Sequence, residues 1–329
     1  MRLCLLTVIV RSIFTIGGIR DSSSTTTTVD PCAVATAALV ADDLTHDQTP
    51  VLNAAIVACE GRSVTVPPGT YRIDGTVTIG SAATDPARNR SLLSFEPTHL
   101  HLPMGITLRR FGNLSNSSAP VVRLSGYACR LTGDGARIVS DNASPVGVLH
   151  IGPGDRTVRS SIQFTYVSGL HIIGRYSTMP KSPHDSATPA AVNYTDIDLN
   201  PPWTNTAGYE QCGGWEGQRA SFGSNGSVGI CMDSSQPISA GAAYQQTLRD
   251  LVIAAVDVGL YMGKWVNANQ INNLQFISIG TVSMWLEDNS ENTVVGGFTG
   301  GTFPGSPYPF SLTFKEVIRG TTSLFNWFR

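Results

Sequence analysis

The chain has 329 residues, of which 41% are hydrophobic and only 14% charged, and its formal net charge at neutral pH is −2. This composition supplies a sizeable core and excludes a disordered chain, and without a basic field a nucleic-acid partner held through its phosphates is excluded as well. The 33 glycines, set among many Ser, Thr and Asn residues, favour strands and tight turns over long helices.

Residues 1–20 read as a secretory leader, with Arg2 ahead of the apolar run from Leu3 to Val10. Arg11 interrupts it and no A-x-A site follows, so the alternative is a wrongly assigned start codon. No later segment is long enough to span a membrane. A secreted or extracellular protein without membrane insertion is expected, and the N-x-[ST] sites at Asn89, Asn113, Asn116, Asn142, Asn193 and Asn225 suit a glycosylated surface. Residues 21–30 form a Ser/Thr-rich linker. Among the cysteines, Cys32 with Cys59 and Cys212 with Cys231 are candidate disulfides, while Cys129 lies in an alternating strand pattern and reads as a buried free thiol.

From Asp47 to Cys59 the spacing of Val51, Leu52, Ala55, Ile56 and Cys59 predicts an amphipathic helix, with Gly61 just past its end. One helix ahead of many strands reads as a cap. Ser63 to Ile79 then alternates as a strand, broken at Pro67-Pro68-Gly69. His99 and His101 share a strand face, but no third ligand stands nearby, and no C-x-x-C pair points to zinc.

Comparison of the chain with itself reveals a repeat. The segments Val167–Ile172, Leu248–Ile253 and Ile271–Phe276 each carry apolar residues at their first, fourth and sixth positions. A second set, Val228–Met232, Val258–Met262 and Val282–Leu286, matches in the same way. A step of about two dozen residues marks a stacked solenoid, in which no single rung can bury its apolar face alone. Asn269 and Asn292 recur at one turn, where an amide ladder would satisfy backbone groups. The expected fold is all-β, a right-handed parallel β-helix with a short N-terminal capping helix, over residues 31–303; from 304 to 329 the pattern is lost and the tail reads as irregular or truncated.

The helix Thr49-Pro50-Val51-Leu52-Asn53-Ala54-Ala55-Ile56, followed by Val64-Thr65-Val66-Pro67-Pro68-Gly69-Thr70-Tyr71, resembles the N-terminal signature of the pectate-lyase-like superfamily. That signature is shared by polygalacturonases, β-1,3-glucanases and phage tailspike depolymerases. Here Asp47 is followed by Gln48 where the family often has a second aspartate. The resemblance implies the β-helix and a polysaccharide partner, and a tailspike-like member would be a homotrimer. Polygalacturonase motifs are missing beyond the loose Asn193-Tyr194-Thr195-Asp196, which argues against that activity.

The repeat is interrupted between residues 174 and 228, and a loop of this length in a compact fold suggests function. Asp196 and Asp198 would share one face if extended, and with Asp233 they are the candidate catalytic acids of a glycoside hydrolase, which needs a protonated and an ionised carboxyl. Trp203, Trp215 and Tyr209 suit stacking on sugars, while His184, Arg219 and Lys181 suit hydroxyls or uronate carboxylates. No cofactor is expected, except Ca²⁺ if the enzyme is a lyase. The other reading is a non-catalytic spike or adhesin that binds carbohydrate on the same solenoid.

Overall fold

The computed structural model describes residues 30–80, 98–115, 119–144, 146–152, 162–175, 227–232, 243–262, 266–287, 292–300, 315–317 and 327–328. Two short helices come first: α1 spans Pro31–Ala37 and α2 spans Thr49–Ala58. The second is the helix that the spacing predicts. Pro50 sits in its first turn, where a missing N–H costs nothing, and Leu52, Ala55 and Ile56 face the core. The first helix was not expected; a disulfide from Cys32 to Cys59 ties its start to the end of α2.

Strands follow in sets. β1 (Ser63–Thr65), β2 (Gly69–Arg72) and β3 (Val77–Ile79) pair with β4 (His99–Leu102), β5 (Ile106–Arg110) and β6 (Val122–Leu124), respectively. The longer β7 (Arg130–Ser140) takes both β4 and β5, and β8 (Leu149–Ile151) takes β6. Beyond β9 (Ile162–Gln163), β10 (Tyr166–Ile173) pairs with β7 and β11 (Val228–Met232) with β8. Then come β12 (Ala243–Tyr244), β13 (Thr247–Met262), β14 (Val266–Asn267), β15 (Gln270–Glu287) and β16 (Thr293–Gly300). β13 pairs with β10 and β11 and then with β15, which pairs with β16. β9, β12 and β14 form a separate small sheet. Within the stretch expected to be irregular, β17 (Lys315–Val317) and β18 (Trp327–Phe328) continue the pairing on β15 and β16.

Every strand pairing among the described residues is parallel, and the repeated segments align with one another. Val167 pairs with Leu248 and Leu248 with Ile271, and Leu170, Leu251 and Leu274 are all buried. Between Ile279 and Val282, opposite Val256 to Val258, β15 carries one extra residue, which turns the 23-residue step of the first half of β13 and β15 into the 24-residue step of the second. The bend inside these long strands is made by residues in the left-handed region: Gly169 (φ 68°), Asp250 (52°), Asn273 (52°) and Gly296 (66°). Asp and Asn tolerate that region better than other side chains, and at Gly169 a Cβ would lie 1.8 Å from the Gly133 carbonyl oxygen, so only glycine fits. The amide ladder exists as expected. Asn292 Oδ1 accepts from Asn269 Nδ2 at 2.8 Å, and Asn269 Oδ1 accepts from the Gln246 backbone N–H at 3.0 Å, all of it buried.

The segment from Asp42 to Asn53 closes a strand edge. Asp42 Oδ1 accepts from the Thr70 N–H (2.8 Å) and Asp47 Oδ1 from the Asp74 N–H (3.0 Å), while the Gln48 N–H donates to the Arg72 carbonyl (2.8 Å). Asn53 accepts from the Thr78 N–H (2.8 Å) and donates to the Thr76 carbonyl (3.0 Å), as a neighbouring strand would. Backbone groups of β2 and β3 that would template another chain are thereby occupied. Behind this edge Arg110 is fully buried and donates to the carbonyls of Gly75, Ala119 and Pro120; burial pulls its pKa down to about 10.

Candidate functional site

Inward and outward positions alternate along each strand, so the column of Val64, Leu100, Leu131, Val167, Leu248 and Ile271, all fully buried, is flanked by two outward columns. On one side stand Ser63, His99, Arg130, Tyr166, Thr247 and Gln270. On the other stand Thr65, His101, Thr132, Ser168, Arg249 and Asn272. Each of these side chains can form hydrogen bonds, and each is at least partly exposed. The strip is therefore polar two abreast along six successive strands, an arrangement the core beneath does not require.

At its β1 end the strip is knitted together. Ser63 Oγ lies 3.0 Å from His99 Nδ1, and His99 Nε2 lies 2.7 Å from Thr132 Oγ1. The same hydroxyl is 2.9 Å from His101 Nδ1, and His101 Nε2 is 3.6 Å from Asp134 Oδ2. Partial burial, with the charges of His101 and Arg130 nearby, lowers the pKa of His99 and favours its neutral form. Sequence reading placed the two histidines on one face but missed Thr132 and Asp134, which lie more than 30 residues further along. Even so, no group of three or more metal-ligating side chains that could hold an ion occurs among the described residues. His171 also faces outward and is half-buried, in register with Arg137 and Val252.

An aromatic corner leads into the first column. Phe164, two residues before Tyr166, is 45% exposed at φ 57° and packs edge-on against Tyr127, with centroids 5.3 Å apart. A bulky side chain in the left-handed region is strained. On the row that runs through β8, β11 and the second half of β13 the equivalent positions are buried, at His150, Cys231 and Tyr261, and Cys231 is disulfide-bonded. The expected free thiol, Cys129, is buried, and desolvation raises its pKa to about 12.

The residues that sequence reading assigned to catalysis and substrate binding, Asp196, Asp198, Asp233, Trp203, Trp215, Tyr209, His184, Arg219 and Lys181, all lie outside the described residues. All of them but Asp233 fall in the stretch between β10 and β11, which belong to one sheet.

No family model matches the chain, and no curated protein matches it. Among solved structures it is similar to the Dettilon tailspike protein (gp208), at 13% identity and a TM-score of 0.29 over 80% of this chain and 45% of that one. It is also similar to the ORF18 protein of Geobacillus virus E2, at 9% identity and a TM-score of 0.22 over 78% of this chain and 55% of that one. The chain thus spans about half the length of these structures. Likeness at this level assigns this chain neither their fold nor their function.

Proposed function

We propose that the protein is a right-handed parallel β-helix of the pectate-lyase-like kind that works outside the cell and binds a polysaccharide along its polar strip. The observation that carries this reading is the strip itself. Parallel strands repeat about every 4.8 Å, so the two columns present hydrogen-bonding groups at a fixed interval. An extended polymer of sugars is itself a repeating array of hydroxyls. Individual contacts are worth little against water, roughly 1 kcal/mol each, but a regular row engages many at once. Most of the groups are neutral, and the exposed ring of Phe164 adds an apolar face of the kind that stacks on a pyranose.

On this reading, chain cleavage belongs to the interruption between β10 and β11. Asp196, Asp198 and Asp233 are the proposed acids, and Trp203, Trp215, Tyr209, His184, Arg219 and Lys181 the proposed holders of the chain.

The test is affinity electrophoresis against plant, algal and bacterial polysaccharides, with reducing ends and the absorbance of unsaturated uronates read on the same samples. At least one glycan should retard the protein, and Phe164→Asn should weaken retention about threefold to tenfold, the worth of one aromatic contact. Asp198→Asn should abolish new chain ends while leaving retention unchanged. If no glycan retards the protein, or if Phe164→Asn binds like the parent, the strip is not the binding surface.

A further inference from the structure

Five side chains on three strands form one continuous chain of polar contacts: Ser63, His99, Thr132, His101 and Asp134. Its chemistry has a direction. A carboxylate only accepts, so Asp134 favours the proton of His101 on Nε2, and Nδ1 of a neutral imidazole is then an acceptor. The Thr132 hydroxyl has one proton, which goes to His101 Nδ1, and its oxygen must accept from His99 Nε2–H. That leaves His99 Nδ1 as an acceptor, facing the Ser63 hydroxyl at 3.0 Å. With both imidazoles neutral and Asp134 ionised, one assignment of protons satisfies every contact, and it ends with a serine donating to a neutral imidazole. Ser63 is exposed, on the outward side of β1, so a substrate can reach it. Nothing in the packing of the core calls for this order of residues.

We propose that Ser63 is a nucleophile toward carboxylic esters, with His99 as its general base and Thr132, His101 and Asp134 as positioning residues that fix the tautomer of His99. The natural substrate class is an O-acyl ester, and the glycan reading enters only in supplying such a group on a sugar; the chemistry itself stands apart from it. In the first step Ser63 Oγ bonds to the carbonyl carbon, its proton moves to His99 Nδ1, and the carbonyl π pair moves onto oxygen. The imidazolium that results donates through Nε2 to Thr132, and the carboxylate of Asp134 stabilises it through His101. Collapse breaks the ester C–O bond, and the leaving alkoxide takes the proton from His99 Nδ1. Water then repeats the sequence on the acyl-serine, releasing the carboxylic acid and restoring Ser63. Arg130 follows His99 in the same column, is exposed, and its positive charge acts on His99, favouring the neutral base.

The experiment is labelling of the full chain by a fluorophosphonate, mapped by mass spectrometry, alongside hydrolysis of p-nitrophenyl acetate over a range of pH. Label should fall on Ser63, and the rate should drop about 100-fold or more in His99→Gln, the span expected for loss of a general base. Thr132→Ser should keep most of the rate and Thr132→Val should lose it, whereas a merely structural threonine would tolerate valine as well. Asp134→Asn should move the pH profile of labelling, and Thr107→Ala, away from the strip, should label like the parent. The proposal is overturned if Ser63 stays unlabelled in the folded parent, if His99→Gln labels as fast, or if the two Thr132 variants behave alike. Retention of a polysaccharide without labelling of Ser63 would leave the glycan reading standing and end this one.

Discussion

The early strands and the late ones solve the same packing problem with different amounts of chain. From the first half of β13 through β15 to β16 each strand lies on the one 23 residues before it, and the links between them are uniform: Asn269 on Asn292 inside, and Asn273 on Asp250 outside at 2.8 Å. From β1 to β7 the equivalent steps are longer, with 36 residues between Ser63 and its neighbour His99. Yet the inward column passes without a break from Val64 to Ile271. The lesson is that inward positions fix the stack, whereas step length and outward residues are free to vary. The network of Ser63, His99, Thr132 and His101 belongs wholly to the early strands.

If one core underlies both regions, a buried charge should be equally ruinous in each. Leu251→Asp and Leu100→Asp should both leave no folded protein, and Leu251→Ala and Leu100→Ala should each cost about 2–5 kcal/mol in urea unfolding. A large cost in one region and a small one in the other would divide the core in two. Next in size, Arg110→Met should cost about 3 kcal/mol, because the carbonyls of Gly75, Ala119 and Pro120 lose their buried donor. That effect belongs to the early region alone, and no late residue plays its part among the described residues.

Asn53→Ala should cost about 1–3 kcal/mol, since the Thr76 carbonyl and the Thr78 N–H both lose a partner. Light scattering should also show self-association, because an opened strand edge invites another chain; a monomeric variant of parental stability would show that the edge is closed by other means. The smallest effect concerns pH. The pKa of His99 is lowered in the folded state, so below its ordinary value of 6.5 the unfolded chain binds the extra proton more readily. Stability should therefore fall as pH drops through and below 6.5. His101, Arg130 and Asp134 are the charged groups that face this cluster, and the slope should shrink in His99→Gln. An unchanged slope would assign the acid sensitivity to another group.

The late strands were legible in the sequence because their 23-residue step lets the chain be aligned with itself, and the single-residue bulge before Val282 explains why the second set of segments is offset by one. The helix α2 was legible from its spacing, and so was the pairing of Cys32 with Cys59. The helix α1 was not. Its seven residues, PCAVATA, are too short to show a period, and it is held by the disulfide and by packing on α2. His99 and His101 were visible as a pair, but Thr132 and Asp134 join them only through strand pairing, which depends on loops of unequal length. The acids and aromatics around Asp196 and Trp203 stood out by composition, a signal that says which residues are present and nothing about which of them meet.

The side chains that close the edge of β2 and β3 come from residues 42–53, ahead of those strands in the chain. On a ribosome they are delivered first. A nascent chain therefore meets its own seal before it has an edge to expose, and each later strand emerges onto a partner that has already been made. Where the step is 23 residues, the stretch that must stay unpaired while it waits is equally short, and it does not lengthen as the protein grows.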